Sequence, residues 1–496
     1  MSLRVYNTLT RQKESFVPRQ APAAGQPAEV SMYVCGVTPY DVAHIGHARS
    51  ALVFDVIRRH LGHRGYRVRF VKNFTDVEDK IIARAAQVGA STTDLAERFI
   101  AAYERDMAAL GVLAPDVEPR ATAHIVPAPG KPYRMVNLIE RLVGAGVAYP
   151  IDGDVYFEVQ RFPAYGRLSG KNLEDLLAGA RVDVDERKRD PRDFALWKGA
   201  KPGEPSWPSP WGPGRPGWHI ECSAMAMEYL GETIDVHGGG ADLIFPHHEC
   251  EIAQSEAATG KLFARYWLHN GLVKLGTEKM SKSLGNILTV EELLGRHDSE
   301  ALRLYLLGTH YRHPMEFAEE RIGEAGRALE RLRSLAEVAS ELGATETVSQ
   351  SEGTPGSPVA TFQDRFEQAM DDDFNTPQAL AAIFDLSRVL NAERDRVSRD
   401  DRSGGAFAAG VSVLTRLTGR LGLLASGRAA PAAGVPASAE WVSRVEALVR
   451  ERDVARKRRD WREADALRAR IEEEGAIVED TPRGSRWKPR SAASGP

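Results

Sequence analysis

Hydrophobic and polar residues alternate over 29–35 (EVSMYVC), the period of a strand. From Gly46 to Leu61 the apolar residues fall at Ala48, Ala51, Leu52, Phe54, Ile57 and Leu61, the spacing of one helical face. Residues 67–72 (RVRFVK) read as a second strand. The three together predict a βαβ unit, parallel and with a right-handed crossover. A helix-rich stretch follows over about 76–112. Residues 115–215 change character. They hold short strand-like pieces such as GDVYFEV, then loops rich in Pro, Gly and Trp that end in SWPSPWGPGRPGW. This stretch reads as an insertion between two halves of one α/β domain. The second half begins near Trp218, with a helix over Cys222 to Leu230, a strand over Thr233 to Val236, a helix after Pro246 and a strand over Arg265 to Leu268. A Gly-Lys-Ser loop at 276–286 closes it. From Thr289 onward the pattern is helical almost throughout, broken by linkers at 344–358 and 425–438. Residues 440–474 form a charged helical pattern, and the tail after Lys488 is expected to fray. No internal repeat is visible. The expected divisions are 1–114, 115–215, 216–288, 289–424, 425–439 and 440–496.

Composition narrows the class. The chain has 496 residues, 43% hydrophobic and 27% charged, as in ordinary soluble globular proteins. No apolar run approaches the ~18 residues of a membrane helix, and the N-terminus (MSLRVYNTLTRQKESF) lacks the apolar core of a secretory signal. A net charge of −4 gives no global basic field, so nucleic-acid contact must come from local patches. Three cysteines cannot build a disulfide scaffold of this size, and a reducing cytoplasm is expected.

Polar residues collect where the predicted strands end, and an open parallel sheet binds ligands beyond its strands' carboxyl ends. His44-Ile45-Gly46-His47 opens a helix, where free N–H groups and the dipole attract phosphate and two imidazoles add donors. Gly46 would let a nucleotide base approach the backbone. Capping alone would also account for the histidine pair. Glu278 to Asn286 (EKMSKSLGN) places Lys279 and Lys282 three apart in a Ser/Gly-rich loop, either a triphosphate clamp or a solvated basic loop. His237-Gly238-Gly239-Gly240-Ala241-Asp242 reads as a Gly-rich turn followed by a carboxylate that can accept ribose hydroxyls. His247 and Glu251 are i and i+4 on a predicted helix. With Cys35 and Cys222 they form a Cys/Cys/His/Glu set, chemistry that suits Zn²⁺. These residues are scattered in sequence, and three buried thiols are the plainer reading. His248 points about 100° away on the helix and reads as supporting, and Cys250 is a possible decoy ligand.

The strings YVCGVTPYDVAHIGHARS, NFTDVEDKI, ARVDV, PSWPSPWGPGRPGWHIECSAM, DVHGGGADLIFPHHECEIAQS, EKMSKSLGN, DDDFNTP and VEDTPRGSRW closely resemble those of bacterial cysteinyl-tRNA synthetases, which are class I aminoacyl-tRNA synthetases. The resemblance runs from about residue 5 to 487. It implies a split Rossmann-type catalytic domain (1–114 and 216–288) with a connective insertion. A tRNA-binding helical bundle (289–424), a linker and a C-terminal anticodon-recognition domain (440–496) would follow. It implies that His44 and His47 contact ATP phosphates and that Lys282, with Lys279, stabilises the pyrophosphate. Asp242 with Gly239 and Gly240 would hold ribose and adenine. Cys35, Cys222, His247 and Glu251 would bind one zinc ion. Gly36, Thr75, Trp218 and His237 would line the cysteine pocket. The implied partners are tRNA(Cys), L-cysteine and ATP with Mg²⁺, for a cytoplasmic monomer. The chain departs from the family in having Glu78-Asp79 for Asp-Asp and Cys250 for Asn.

Zinc would fit the task. Cysteine and serine are nearly isosteric, and apolar contacts separate such pairs by only ~1–3 kcal/mol. A soft metal separates thiol from alcohol chemically. Residues 444–462 carry eight Arg/Lys and four Asp/Glu, with Arg456 to Arg459 contiguous and Trp461 beside them. That composition suits stacking on single-stranded RNA, although a solvated helix face explains the charge run alone. Asp465 and Trp487 are candidates for direct contact. A ligase joining activated cysteine to a small amine would share the catalytic motifs but would leave 440–487 without a purpose.

Overall fold

The computed structural model describes residues 2–21, 25–171, 186–275, 278–279, 288–341, 358–397, 404–424, 439–481 and 484–489. A hairpin of β1 (Arg4–Asn7) and β2 (Gln12–Ser15) precedes β3 (Glu29–Val37), α1 (Ile45–His63) and β4 (Arg67–Phe74). Helices α2 (Asp79–Val88), α3 (Thr92–Ala109) and α4 (Met135–Gly144) lead into a four-stranded antiparallel sheet. Its strands are β5 (Ala148–Ile151), β6 (Asp154–Phe157), β7 (Phe194–Gly199) and β8 (Gly214–Pro216). The chain then returns through α5 (Trp218–Leu230), β9 (Ile234–Gly240), α6 (Glu249–Thr259) and β10 (Ala264–Asn270). The central sheet has the order β10-β9-β3-β4, and each neighbouring pair is parallel.

Alternation along β3 decides what each face of that sheet carries. Val30, Met32 and Val34 pack with Val53, Phe54 and Ile57 of α1. Tyr33 and Cys35 point to the other face, with Cys222 and Met225 of α5 and Cys250 and Ile252 of α6. Both faces are covered, as parallel sheets require. The strand from Thr233 extends further than its expected end. His237 to Gly240 are the second half of β9, not a turn. The glycines serve close packing there, since a Cβ on Gly238 would lie 2.3 Å from the Phe54 ring.

Beyond the sheet, β11 (Val273–Leu275) pairs antiparallel with β12 (Glu278–Lys279) and parallel with β13 (Met315–Glu316). Between β12 and β13 lie α7 (Val290–Arg296) and α8 (Ser299–Leu307). The helical part comprises α9 (Glu320–Glu341), α10 (Pro358–Asp371), α11 (Thr376–Val397) and α12 (Gly404–Arg420). It shares one apolar core with the α1 face of the sheet. Asp371 reaches back to His60 at the end of α1 (3.0 Å), while Asp373 accepts from Tyr6 N (2.8 Å) and Arg312 Nε (2.6 Å).

The C-terminal charged stretch is not one helix. α13 (Ala439–Lys457) and α14 (Trp461–Glu473) are separated where Arg459 takes φ 62° and Asp460 caps the next helix through Glu463 N. A hairpin of β14 (Ala476–Thr481) and β15 (Gly484–Pro489) follows. Neither this hairpin nor β1–β2 was expected. The frayed tail, most of the two linkers and the ARVDV string lie outside the described residues. Among the described residues no helix is long and apolar enough to cross a membrane.

Candidate active site and metal centre

Four donors gather at the carboxyl end of β3. Cys35 lies two residues before the end of that strand. Cys222 sits one turn into α5. His247 lies in the short irregular turn Ile244–His248 that leads into α6, where Phe245 leaves helical geometry. Glu251 stands in the first turn of α6. One donor atom from each lies within 4.8 Å of the others, and all four side chains are buried. Cys35 Sγ is 3.2 Å from Glu251 Oε1 and 3.4 Å from His247 Nε2, and those two atoms are 3.1 Å apart. This group could bind a metal. Two sulfurs, an imidazole nitrogen and a carboxylate oxygen aimed at one buried point match the donors a soft divalent ion prefers. A second set, Cys35, His237, His248 and Glu251, meets the same distance criterion. It has one thiol only, against two in the first set. His237 Nε2 meets Glu251 Oε2 (2.9 Å) and His248 Nδ1 meets His269 Nε2 (2.7 Å).

The four groups shift one another's proton affinities. Burial pushes the Cys35 thiol up, and the neighbouring Cys222 adds to it. Burial alone would raise Cys222 too, but its bond with Cys35 and the His247 imidazole bring it down to about 6. Burial would lower His247, yet Cys222 and Glu251 lift it to about 10. Burial would raise Glu251, but His237 and His247 bring it down to about 2. Cys250 belongs to neither donor set; its thiol lies 3.2 Å from the Tyr165 hydroxyl.

Sequence reasoning missed the residues that hold the donors. Asn73, at the end of β4, accepts from Gly36 N (2.9 Å) and lies 3.6 Å from Cys222 Sγ. Its Nδ2 donates to Thr75 Oγ1 (3.2 Å). Gly36 must be glycine, since a Cβ there would lie 1.5 Å from the Asn73 carbonyl oxygen. His219 Nδ1 lies 3.0 Å from His247 Nδ1, so it fixes the ring edge remote from the donor point. The motif strings contained these residues, but no periodicity marks a contact between distant elements. Trp218 begins α5, is 38% exposed and lies against the His247 ring at 4.4 Å. His237 is buried and stacks on Trp267.

The other end of the strand edge is more open. His44 caps α1: its Nδ1 accepts from Gly46 N (3.1 Å), and His47 Nδ1 accepts from His44 N (3.3 Å). The rings stack with centroids 3.7 Å apart. Capping and chemistry are compatible here. With Nδ1 accepting, the neutral ring carries its proton on Nε2, so the outer edge is a donor. The expectation of free amides at this helix start is corrected. Ile45 N donates to Leu288 O, Gly46 N to the His44 ring, and His47 N to His44 O. Gly239 and Gly240 end β9, and Asp242 is exposed just beyond. Lys279 lies in β12, where its backbone pairs with Lys274. Lys282 lies outside the described residues. At the far C-terminus Trp461 is 59% exposed beside exposed Arg458 and Arg459, Asp465 is exposed, and Trp487 pairs through its backbone with Val478.

A parallel sheet split by an antiparallel insertion, with a buried Cys/Cys/His/Glu group beyond a central strand, defines a class of enzyme that the comparisons identify. The model of the class I (C) tRNA synthetase catalytic domain matches residues 22–327, a DALR domain matches 365–425, and the cysteinyl-tRNA ligase anticodon binding domain matches 439–487. Methionyl-tRNA synthetase of Mycobacterium tuberculosis, solved with methionyl-adenylate, shares the fold at TM-score 0.58 and 18% identity, over 79% of this chain and 90% of that one. The catalytic domain is that of a class I aminoacyl-tRNA synthetase. The cysteine–tRNA ligase of Geobacter metallireducens is 50% identical over 98% of this chain and 100% of its own length. That of Alkalilimnicola ehrlichii is 51% identical over 98% and 99%. The chain belongs to the cysteine–tRNA ligase family, and its activity is cysteinyl-tRNA ligation.

Proposed function

We propose that the chain activates L-cysteine with ATP as cysteinyl-adenylate and transfers it to tRNA(Cys), with one zinc ion held by Cys35, Cys222, His247 and Glu251. The observation that carries the metal assignment is the convergence of those four buried donors from four separate elements. Zinc supplies a soft Lewis acid that binds sulfur in preference to oxygen, and so separates cysteine from serine. The protein's own groups do the rest. His237 holds Oε2 of Glu251, leaving Oε1 toward the donors. Gly36, Thr75, Trp218 and His237 wall the amino-acid pocket.

The cysteine carboxylate attacks the α-phosphate of ATP in line. His44 and His47 present their Nε2 edges to phosphoryl oxygens, where negative charge builds. Lys279 and Lys282 neutralise the leaving pyrophosphate, and Mg²⁺ accompanies the nucleotide. Gly239 and Gly240 admit the adenosine, and Asp242 accepts its ribose hydroxyls. The terminal ribose hydroxyl of tRNA then attacks the adenylate carbonyl and AMP leaves. Positioning and charge stabilisation carry both steps. The proposed division of the chain is a catalytic domain over 1–114 and 216–288, with its insertion at 115–215. A tRNA-binding bundle at 289–424 and an anticodon domain at 440–496 complete it, in a monomer acting in the cytoplasm.

The test is charging of total tRNA with labelled cysteine and ATP, with serine as the control, before and after chelation. Cysteine-specific charging that is lost with the metal and restored by zinc supports the reading. Charging that survives complete metal removal overturns the zinc assignment.

A further inference from the structure

The described residues on either side of 275–288, the stretch of sequence that contains Lys279 and Lys282, meet α1. Where it ends, His44 bridges Thr289, Ile45 N donates to Leu288 O (3.1 Å) and Val290 N donates to Ala43 O (2.9 Å). These are backbone contacts of the residues in and next to the histidine motif. Where it begins, one side chain makes the link. Arg49 lies on α1 little more than a turn past His44 and is 1% exposed. One terminal nitrogen donates to Gly271 O and Leu272 O, both at 3.1 Å. The other donates to His313 O at 2.6 Å and His310 O at 3.4 Å.

Those carbonyls belong to two chain segments. Gly271 and Leu272 are where the chain leaves the central sheet. His310 to His313 is the turn before β13. The two meet at this point: Gly271 N donates to Tyr311 O (2.8 Å), Met315 N donates to Leu272 O (2.9 Å), and β11 then runs beside β13. The approach is so close that a Cβ on Gly271 would lie 2.3 Å from His313 O. The guanidinium therefore sits across a seam, one prong on each side.

Its chemistry is particular. None of the four acceptors is a carboxylate, and burial lowers its pKa to about 10. An apolar side chain would fill the volume without the cost of desolvating a charge, but it would leave four carbonyls without this donor. Lysine keeps the charge but presents a point, not a planar fork, and cannot span both segments.

We propose that Arg49 is a positioning residue for adenylate formation. It fixes β11, and with it the paired β12 backbone that carries Lys279, on the same helix that presents His44 and His47, and so sets the span between those histidines and Lys279 across which the triphosphate lies. The proposal rests on the roles given to those three residues above. α1 covers the sheet face opposite the donor cluster, so the amino-acid pocket and the metal should not sense the change.

Arg49→Lys and Gly271→Ala disturb the seam from its two sides, one by removing the fork and one by forcing the segments apart. Five quantities are measured in each: KM for ATP and kcat in cysteine-dependent pyrophosphate exchange, KM for cysteine, bound zinc, and single-turnover transfer from preformed cysteinyl-adenylate to tRNA. The expected result is a KM for ATP raised, or a kcat lowered, by about tenfold or more. Cysteine KM, zinc content and the transfer rate should stay within about twofold. Adenylation and transfer falling together, cysteine KM rising with that of ATP, or unchanged ATP parameters would each overturn the proposal. If Arg49→Lys does not fold, Gly271→Ala decides by the same criteria. If neither folds, the residues only hold the structure and the proposal falls. Lys279→Ala separates the two levels of inference: if it leaves exchange unaffected, the lysine clamp itself is wrong, whereas a slow Lys279→Ala beside a normal Arg49→Lys overturns the Arg49 proposal alone.

Discussion

The two ends of the strand edge are built on opposite plans. The donor cluster is buried and its members come from four elements, three of them aimed by a neighbour: Asn73 behind Cys222, His219 behind His247, His237 behind Glu251. The histidine end is a local motif on one helix start, whose capping bonds span at most three residues, with the exposed Asp242 as its counterpart. A choice between sulfur and oxygen depends on which atom meets a fixed, dry donor set, so tertiary scaffolding is required. Phosphate recognition depends on donors at a rim that a large solvated substrate can reach.

The largest effect should come from breaking the buried end. Cys222→Ser keeps the shape and removes a soft ligand. It should lose bound zinc and lower kcat/KM for cysteine by about 10³-fold, with KM for ATP changed by less than about threefold if the two ends are independent. Metal analysis and pyrophosphate exchange check both. Glu251→Gln sharpens the point, because a carboxylate is the hardest donor in the set. It should raise KM for cysteine while keeping more zinc than Cys222→Ser; equal metal loss in the two variants would show that Glu251 is not the weaker ligand.

The histidine end separates capping from chemistry in one substitution. Asparagine is among the best helix N-caps, so His44→Asn keeps an acceptor for Gly46 N and loses the Nε2 donor edge. Adenylation kcat should fall by about 10²-fold, with cysteine KM and zinc content unchanged. Helix stability should change by less than about 1 kcal/mol. If calorimetry shows a large stability loss that tracks the activity loss, the histidine is only a cap.

The same contrast explains what could be read from the sequence. Local signals carried far: alternation over 29–35 gave β3 and hence the face of Cys35, and helical spacing over 46–61 gave α1. Cys35, Cys222, His247 and Glu251 also came together beyond a strand end, as the α/β pattern required. What failed was either non-local or weakly apolar. β2 (QKES) has no hydrophobic alternation and is held by partners such as Asp372, 359 residues from Lys13. The break at Arg459 and the hairpin after α14 sit in a charged stretch whose apolar pattern is sparse. The glycines after His237 were read as a turn because glycine is turn-forming, whereas here they continue the strand, and Gly238 lets α1 approach it. Asn73 and His219 matter through contacts with residues 149 and 28 positions away, which no local period encodes.

Gly36 tests whether the buried end depends on that scaffolding. The Cβ of Gly36→Ala would fall on the Asn73 carbonyl, and backbone cannot move aside as a flexible side chain can. The variant should lose about 2–3 kcal/mol by chemical denaturation, in the range for overpacking a well-filled interior. It should lose zinc affinity with it, while an alanine at the exposed Gly62, where nothing lies within 4 Å, should do neither.

The smallest effect expected concerns a carboxyl that serves neither end. Asp106 on α3 is 8% exposed, and burial, with Glu291 nearby, pushes its carboxyl up to about 6. An acid whose folded-state pKa is raised binds its proton more tightly folded than unfolded. Stability therefore falls as pH rises from about 4 to about 6, and the full cost remains at neutral pH. Asp106→Asn removes the charge at nearly constant volume. It should raise stability on the order of 1 kcal/mol at pH 7.5 and leave it unchanged near pH 4. Aminoacylation should not change at either end of the strand edge, since Asp106 lies on α3, whose neighbouring Met107 shares an apolar core with α1 and α8, and belongs to neither set of candidate ligand groups. Thermal melts of both proteins across that pH range check the sign: a gain that is equal at pH 4 and pH 7.5 would mean that packing, not charge, is what the asparagine improves.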